Sequence, residues 1–280
     1  MSLAGARVLL TGGTGFIGSR LAAALSTAGA KTTLLVRESS RGDRLGDLWT
    51  KLPKVIADIE DPASLARAVG AADPDYAFHL ARPEGADFTR QARATAALAA
   101  ALAGGAPRLK RWVRTAHAAG ALGRGGDAEL ARALGARHRL SIVTLELFLV
   151  YGPGQSPGDS PRDLAEAALS GRPLRAPAEA KDLIFVDDAV RAYLLAALAP
   201  RVSGASIPIG GGRLVPGLET ARAAARAAGR RAEEVAAPAA SFDGGHPAEP
   251  GPARDLLGWA PSTSVEEGMR QLIQWCRDEG

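Results

Sequence analysis

The stretch TGGTGFIG at residues 11–18 decides the fold of this 280-residue chain. It follows the short apolar run 7–10 and opens a segment whose apolar residues recur at helical spacing. In this order of strand, turn and helix, Gly12, Gly15 and Gly18 allow a tight turn, close approach of the backbone to a pyrophosphate and close helix packing. N–H groups at the helix start also attract negative charge. The stretch predicts a dinucleotide-binding turn; the alternative is a glycine-rich turn with only a structural role.

Further short apolar runs alternate with helix-like segments along the first half of the chain. They are predicted as strands over residues 31–36, 54–57, 76–80, 111–114 and 141–145. Such alternation is typical of a parallel sheet covered by helices on both faces. The sequence therefore predicts an α/β fold with a Rossmann-type doubly wound parallel sheet.

The second half of the chain differs in composition. Residues 155–178 and 236–252 are rich in Gly, Pro, Ser or Arg, and we interpret both as irregular segments. In open α/β sheets ligands bind outside the carboxyl ends of the strands, where such segments can form a substrate lobe. We expect residues 1–151 to be mainly the dinucleotide-binding core. Residues 152–280 are expected to be mainly a smaller carboxyl-terminal substrate lobe, with elements that return to the core.

Composition argues against several classes of protein. The net charge is +4, but the 34 cations and 30 anions are interspersed, so we predict no nucleic-acid partner. No apolar run is long enough to span a bilayer, so no membrane partner is expected. The single cysteine, Cys276, excludes an intrachain disulfide, and no histidine has partners at metal-ligand spacing, so no metal site is expected. The start of the chain lacks the pattern of a signal peptide, and we predict a cytoplasmic protein.

Arg37 stands where the second strand ends. NAD enzymes usually carry an acidic residue there, which accepts hydrogen bonds from the ribose 2′-hydroxyl. A guanidinium instead binds a 2′-phosphate through two charge-assisted hydrogen bonds, and Ser39, Ser40 and Arg41 lie within reach. The position favours NADPH/NADP+ over NADH. The alternative is a solvated surface arginine in an arginine-rich chain.

The sequence resembles the extended short-chain dehydrogenase/reductase superfamily over nearly its whole length. The matching segments are TGGTGFIG at 11–18, Asp58 before DP at 61–62, FHLA at 78–81, VYGPG at 150–154, DLIFVDD at 182–188 and LGWAP at 257–261. The resemblance implies that Asp58 and Ile59 flank the adenine, that Ala81 and Arg82 line the cleft, and that 147–149 approach the nicotinamide. With the turn and Arg37, the predicted cofactor-binding residues are Gly12, Thr14, Gly15, Phe16, Ile17, Gly18, Arg37, Ser39, Asp58, Ile59, Ala81, Arg82, Thr115, Leu147, Phe148 and Leu149.

The chain departs from this superfamily at its catalytic centre, a Tyr-x-x-x-Lys pair with an upstream Ser or Thr. None of the three tyrosines is followed by a lysine four residues later. Aligned on Glu129, which matches the family's glutamate after the lysine, Ala121 replaces the tyrosine and Gly125 the lysine. The span 115–129 is also shorter than usual, so we expect a wider cleft.

Three other residues are candidates for the chemistry. By the resemblance, His117 lies at or next to the position of the family's Ser or Thr; it could donate a proton, or simply end the strand. Thr115 could hydrogen-bond cofactor or substrate, or be structural. Tyr151 could replace the missing acid, although packing is an alternative. Asp187 and Asp188 resemble a catalytic carboxylate pair, but by the resemblance they tie the substrate lobe to the sheet.

The missing tyrosine, the NADP preference and the short cleft wall together resemble the atypical ketoreductases of antibiotic biosynthesis. The resemblance implies NADPH-dependent reduction of a ring carbonyl in a polycyclic aromatic, angucyclinone-like polyketide. Losing a general acid typically costs about 10²- to 10⁴-fold in rate, whereas positioning supplies about 7 to 11 kcal/mol. A reductase without its tyrosine is therefore feasible if a substrate phenol supplies the proton. The alternative is a catalytically inactive NADP-binding redox sensor. The oligomeric state, monomer or dimer, is left open.

Overall fold

The computed structural model describes residues 2–83, 85, 88–117, 126–158, 160–240, 242–243 and 245–279. The strands are β1 (Arg7–Thr11), β2 (Lys31–Val36), β3 (Lys54–Ile56), β4 (Tyr76–His79), β5 (Arg111–His117), β6 (Ile142–Leu147), β7 (Leu149–Tyr151), β8 (Glu179–Ala180), β9 (Leu183–Phe185), β10 (Ser206–Ile209) and β11 (Phe242–Asp243). The helices are α1 (Phe16–Thr27), α2 (Leu48–Lys51), α3 (Pro62–Ala72), α4 (Phe88–Gly105), α5 (Gly126–His138), α6 (Ser160–Leu169), α7 (Val186–Leu198), α8 (Gly217–Ala227), α9 (Pro250–Leu257) and α10 (Val265–Glu279).

The main sheet has seven strands within these ranges, in the order β10-β6-β5-β4-β1-β2-β3. The pairs β1–β2, β1–β4, β2–β3 and β4–β5 are parallel. The order reverses between β1 and β4, and in such sheets a crevice opens there beyond the carboxyl ends of the strands. The predicted α/β, Rossmann-type doubly wound fold is confirmed.

The register brings polar residues together at that edge. Thr11 of β1 lies opposite His79 of β4, and His79 lies opposite Arg114 of β5. All four residues of β4 are buried, as expected for a strand covered on both faces. The last residues of β1 and β4 and the middle of β5 therefore form one polar row across three neighbouring strands.

The chain divides into two compact units, which we call the first and the second unit. The first comprises Met1–Glu146, Val190–Ile207 and Asp255–Gly258. The second comprises the segments Leu147–Ala189, Pro208–Arg254 and Trp259–Gly280. Within the second unit, β7 pairs in parallel with β9, β8 pairs in parallel with β11, and helices α6, α8 and α10 pack on one another.

Each of the six predicted strand regions contains a strand, but the prediction of an irregular segment over 155–178 is wrong for α6. This helix buries Pro161, Leu164, Ala165 and Ala168, which recur at helical spacing. The composition around them is rich in loop-forming residues, which conceals that stripe. In the part of the chain that the structure describes, no helix has both the length and the hydropathy required to cross a membrane.

Candidate functional site

The glycine-rich turn connects β1 to α1. Gly15 precedes the helix in an extended conformation, and no side chain caps the helix start. The first turn of Phe16–Thr27 contains no acidic residue. The first N–H groups of α1 therefore keep their capacity to bind an anion.

The three predicted glycines have different roles in this turn. Gly12 has φ +74°, and a Cβ there would lie 2.6 Å from the backbone nitrogen of Ala81. A Cβ at Gly18 would collide with the carbonyl oxygen of Gly12. Gly15 is exposed, and the one atom within 4 Å of its virtual Cβ is the Gly12 carbonyl oxygen, at 3.3 Å. The fold thus requires Gly12 and Gly18, whereas Gly15 leaves a cradle open above the helix start, which fits a pyrophosphate.

A hydrogen-bonded group beneath the turn fixes the end of β4. The hydroxyl of Thr11 accepts a hydrogen bond from the Ala81 N–H at 3.3 Å and lies 2.7 Å from Nδ1 of His79. Complete burial, followed by the charge of Arg114, lowers the pKa of His79 to about 3. The imidazole is therefore neutral, and the Thr11–His79 contact joins two neutral groups. This contact holds the segment that begins at Ala81, with Arg82 exposed beside it.

Arg37 lies in a tight turn directly after β2. Its N–H donates to Oγ of Ser40 at 3.0 Å, and the Ser40 N–H donates to the Arg37 carbonyl at 3.0 Å. The Ser40 hydroxyl thus shapes the turn. Arg37, Ser39 and Arg41 are exposed, and so is Glu38. Two guanidinium groups and one carboxylate leave this turn net positive, as a 2′-phosphate site requires.

Asp58 and Ile59 follow β3. The Asp58 carboxylate accepts the Glu60 N–H at 2.9 Å, and the Asp58 N–H donates to Oγ of Ser64 at 3.2 Å. Asp58 is exposed, while Ile59 is 7% exposed and packs in the hydrophobic core. Asp58 therefore shapes a surface turn, and the adenine contacts of both residues stay a prediction.

The end of β5 carries two of the predicted catalytic residues. The hydroxyl of Thr115 lies 2.5 Å from the hydroxyl of Tyr193, which is fully buried on α7. Burial raises the pKa of Tyr193 above its ordinary value, so the phenol stays protonated. His117 is exposed at the last position of the strand. Residues 118–125, including Ala121 and Gly125, lie outside the described residues.

The predicted nicotinamide segment, Leu147 to Leu149, belongs to the second unit. Leu147 is buried, whereas Phe148 and Leu149 are partly exposed. The Phe148 N–H donates to the Ile209 carbonyl at 3.1 Å, and the Leu149 N–H donates to the Asp182 carbonyl at 3.1 Å. These bonds fix the backbone of the segment, and its contact with a nicotinamide stays a prediction.

Tyr151 packs inside the second unit. Its ring meets that of Phe185 edge to face at a centroid distance of 5.7 Å. Gly268 of α10 packs so closely on the Tyr151 hydroxyl that a Cβ there would collide with it. Burial, followed by the charges of Asp188 and Glu267, raises the pKa of the phenol. This placement favours the packing role over proton donation.

Two buried carboxylates hold loops of the second unit. Asp182 accepts the N–H groups of Gly211, of Gly212 at 3.1 Å and of Ala248 at 2.8 Å; burial nevertheless raises its pKa. Asp188 accepts the Ser262 N–H at 3.0 Å, the Ser262 hydroxyl at 2.6 Å and the Thr263 N–H at 2.8 Å. Asp187, by contrast, is exposed. The arrangement of Asp188 is therefore that of a structural carboxylate.

The second unit also contains a cavity of about 100 Å³. Most of its walls are apolar, and its two charged groups, Glu179 and Lys181, form an ion pair at 3.0 Å. The lining residues are Leu149, Ser160, Pro161, Pro177, Glu179, Lys181, Leu183, Val215, Gly217 and Thr220. Among the described residues, no group of three or more His, Cys, Asp or Glu side chains is arranged to hold a metal ion.

Comparison with known proteins identifies the family. The profile of the NAD dependent epimerase/dehydratase family matches residues 8–119 and 128–210, which contain the glycine-rich turn and the whole polar row. The chain belongs to this family. Membership supports a nicotinamide dinucleotide as the cofactor and an oxidoreductase activity.

Individual relatives of the epimerase/dehydratase family are distant. A dTDP-glucose 4,6-dehydratase of Neisseria gonorrhoeae is 30% identical over 165 residues, which cover 53% of this chain and 47% of the dehydratase. The match thus spans about half the length of that relative. The UDP-glucose 4-epimerase of Thermotoga maritima, solved with UDP-glucose, has a TM-score of 0.83 at 21% identity, over 97% of this chain and 99% of the epimerase. MoeE5, solved with UDP-glucuronic acid and NAD, has a TM-score of 0.78 at 26% identity, over 98% and 99%.

Proposed function

We propose that the protein is an NADPH-dependent ketoreductase that reduces a ring carbonyl of a polycyclic aromatic polyketide. The observation that carries this proposal is a complete dinucleotide turn in a chain that has no Tyr-x-x-x-Lys pair at any of its tyrosines. Binding machinery for the cofactor is present, while the usual proton donor is absent. The reaction must therefore be one in which the enzyme does not need that donor.

The phosphorylated form of the cofactor is supported by the turn after β2. Arg37 and Arg41 are both exposed there, and Ser39 adds a hydroxyl. A 2′-phosphate would meet two guanidinium groups, whereas the position that usually holds the acid for the ribose hydroxyl of NADH is occupied by Arg37, with Glu38 one residue later. The turn therefore favours NADPH.

The missing tyrosine discriminates between reaction types. Oxidation of a sugar hydroxyl requires a base that takes its proton, and a sugar cannot provide one. Reduction of a ketone requires an acid instead, and a neighbouring phenol of the substrate, with a pKa of about 10, can provide it. Reduction of a phenolic ketone is thus compatible with this chain, whereas nucleotide-sugar epimerisation or dehydration is disfavoured.

When bound, the reduced nicotinamide supplies a hydride to the carbonyl carbon. The developing alkoxide then takes the proton of the adjacent phenol, which leaves an alcohol and a phenolate, and solvent reprotonates the phenolate. The hydroxyl of Thr115 is the group of this chain that we assign to the carbonyl oxygen, through a hydrogen bond. His117, exposed two residues further along β5, is assigned to binding the phenol side of the substrate.

The substrate class rests on resemblance, and the cavity of the second unit adds only an argument against a diphosphate. The chain resembles the angucyclinone ketoreductase of simocyclinone biosynthesis in its missing tyrosine, NADP preference and short cleft wall. The relatives with solved ligands hold UDP-sugars, whose diphosphates call for unpaired cations. In the cavity, Lys181 is paired with Glu179 and the other walls are mainly apolar. These walls do not suit a diphosphate, and at about 100 Å³ the cavity is also too small to hold a polycyclic substrate, for which pockets of about 300 Å³ or more are usual.

The test follows the absorbance of the reduced nicotinamide with purified protein, NADPH and a panel of phenolic polyketide ketones. We expect turnover of a ketone with a phenol beside the carbonyl, and loss of turnover when that phenol is methylated. Undiminished reduction of the methyl ether would refute the phenol as proton source. Binding of NADPH without turnover of any ketone would favour the redox sensor, and conversion of UDP-glucose or dTDP-glucose with NAD+ would refute the ketoreductase.

A further inference from the structure

In the hydrogen bond between the hydroxyls of Thr115 and Tyr193, the surroundings determine which group is the donor. Tyr193 is completely buried, and its ring meets Phe78 edge to face at a centroid distance of 6.4 Å. Among the described residues, the hydroxyl of Thr115, 2.5 Å away, is the hydrogen-bond partner of the phenol. Thr115 itself is partly exposed at the carboxyl end of β5.

Two arrangements of the hydrogens are conceivable, and burial decides between them. If Thr115 donated to Tyr193, the phenolic hydrogen would have no acceptor among the described residues and would lie near the positive charge of the buried Arg114, and such an unsatisfied donor costs about 1–3 kcal/mol. If Tyr193 donates instead, the threonine hydrogen is released towards the exposed side, where water or a ligand accepts it. Burial also raises the pKa of Tyr193, so the phenol retains the hydrogen that this arrangement needs. Tyr193 is thus the donor and Thr115 the acceptor.

We propose that Tyr193 is a positioning residue, which holds Thr115 with its hydroxyl hydrogen directed at a ligand oxygen beyond the carboxyl edge of the sheet. The inference rests on the proposed function for the identity of that oxygen, the carbonyl of the ketone. It extends that function by assigning a role to a phenol that the substrate does not reach. A single preorganised donor of this kind stabilises an oxyanion because it needs no reorientation during the reaction.

The kinetic test compares five variants with the wild-type enzyme: Tyr193→Phe, Thr115→Val, the double variant of these two, Thr115→Ser and a control. Tyr193→Phe keeps the ring packing, and we expect kcat to fall about 3- to 10-fold with KM within about twofold, the effect of one hydrogen bond. Thr115→Val should lose at least as much, Thr115→Ser should retain most of the activity, and the double variant should match Thr115→Val alone. Tyr76→Phe is the matched control, because Tyr76 lies at the amino-terminal end of β4, and its kcat and KM should be unchanged.

Additive losses in the double variant would overturn the inference, because they would mean that the two hydroxyls act independently. An unchanged kcat in Tyr193→Phe would overturn it as well. Melting temperatures of all variants show whether a loss of activity follows a loss of folding. A kcat of Thr115→Ser as low as that of Thr115→Val would also contradict a role for the hydroxyl.

A spectroscopic measurement separates this inference from the proposed function. The Raman Fermi doublet of tyrosine reports whether a phenol donates or accepts its hydrogen bond. The difference between wild type and Tyr193→Phe isolates Tyr193 from the other two tyrosines. We expect the donor signature, and the acceptor signature would overturn the inference. This result does not depend on turnover, so it holds even if every ketone fails as a substrate.

Discussion

Arg37 is the residue on which the choice of dinucleotide depends. Arg37→Ala should raise the dissociation constant for NADPH about 10- to 100-fold, because a hydrogen bond to a charged group contributes about 1.5–3 kcal/mol. Binding of NADH should change by no more than about twofold, since it has no phosphate for the guanidinium to bind. Fluorescence titration of both dinucleotides measures the two constants. Arg108→Ala is the control, since Arg108 pairs with Asp73, away from the turn after β2. An NADPH affinity unaffected by Arg37→Ala would contradict the phosphate role.

His79 should make the stability of the protein sensitive to acid. The pKa of the buried imidazole is about 3, against an ordinary value of 6.5. Between these values the unfolded chain binds a proton that the native protein does not, so stability falls as the pH falls, by up to about 1.4 kcal/mol per pH unit. His79→Asn offers Thr11 an acceptor close to the position of Nδ1 and does not titrate. Between about pH 7.5 and about pH 5, the unfolding free energy measured with urea should fall by about 2 kcal/mol more in the wild type than in His79→Asn. Equal losses in the two proteins would show that His79 is not the group responsible.

Sequence patterns predicted the fold well at the level of elements, because strand and helix periods are local. The strand β10, with the sequence SIPI, was not predicted, because a proline inside a run argues against a strand. It is tolerated here because β10 is the last strand in the sheet order, where one side needs no partner. Helix α6 was hidden by the composition around it, although its buried stripe was present in the sequence.

The candidate site was predictable only where its residues are neighbours in sequence. The turn at 11–18 and the position of Arg37 could be recognised because their spacing along the chain is fixed by one strand and one helix. The pairs Thr11–His79 and Thr115–Tyr193 join residues 68 and 78 positions apart, and no local pattern connects them. Tyr193 lies among small buried residues on α7, so its sequence context predicts a core residue and nothing more.

The turn between β1 and α1 should be intolerant of a single methyl group. In Gly18→Ala the new Cβ would displace the Gly12 carbonyl, and we expect a loss of about 1–3 kcal/mol in unfolding free energy together with weakened dinucleotide binding. Gly70→Ala is the matched control, because nothing lies within 4 Å of a Cβ at that exposed position in α3. It should stabilise the protein by about 0.4–1 kcal/mol. Denaturant unfolding of both variants tests this pair, and similar effects at the two glycines would show that crowding does not constrain the turn.

The stability of the protein should depend on Asp188 at the start of α7 and much less on its neighbour Asp187. Asp188→Ala leaves the N–H groups of Ser262 and Thr263 without their acceptor, and we expect a loss of about 2–4 kcal/mol, since a hydrogen bond to a charged group contributes about 1.5–3 kcal/mol. Asp187→Ala, at the exposed neighbour, should cost less than about 1 kcal/mol, the usual value of an acid near a helix start. Thermal unfolding measures both. Equal destabilisation by the two changes would argue that charge at the helix start, rather than the hold on 262–263, is what matters.

At the scale of the whole molecule, the adenine and pyrophosphate half of the dinucleotide should be held by the first unit. The glycine-rich turn and the Arg37 turn belong to the first unit, whereas the largely apolar cavity belongs to the second. NADPH at about 100 times its dissociation constant should stabilise the protein by about 2.7 kcal/mol. In hydrogen exchange, it should slow the amides of 12–19 and 36–41, while those of 177–183 and 215–220, which line the cavity, should change little. Protection of the cavity segments equal to that in the two turns would contradict this placement of the dinucleotide.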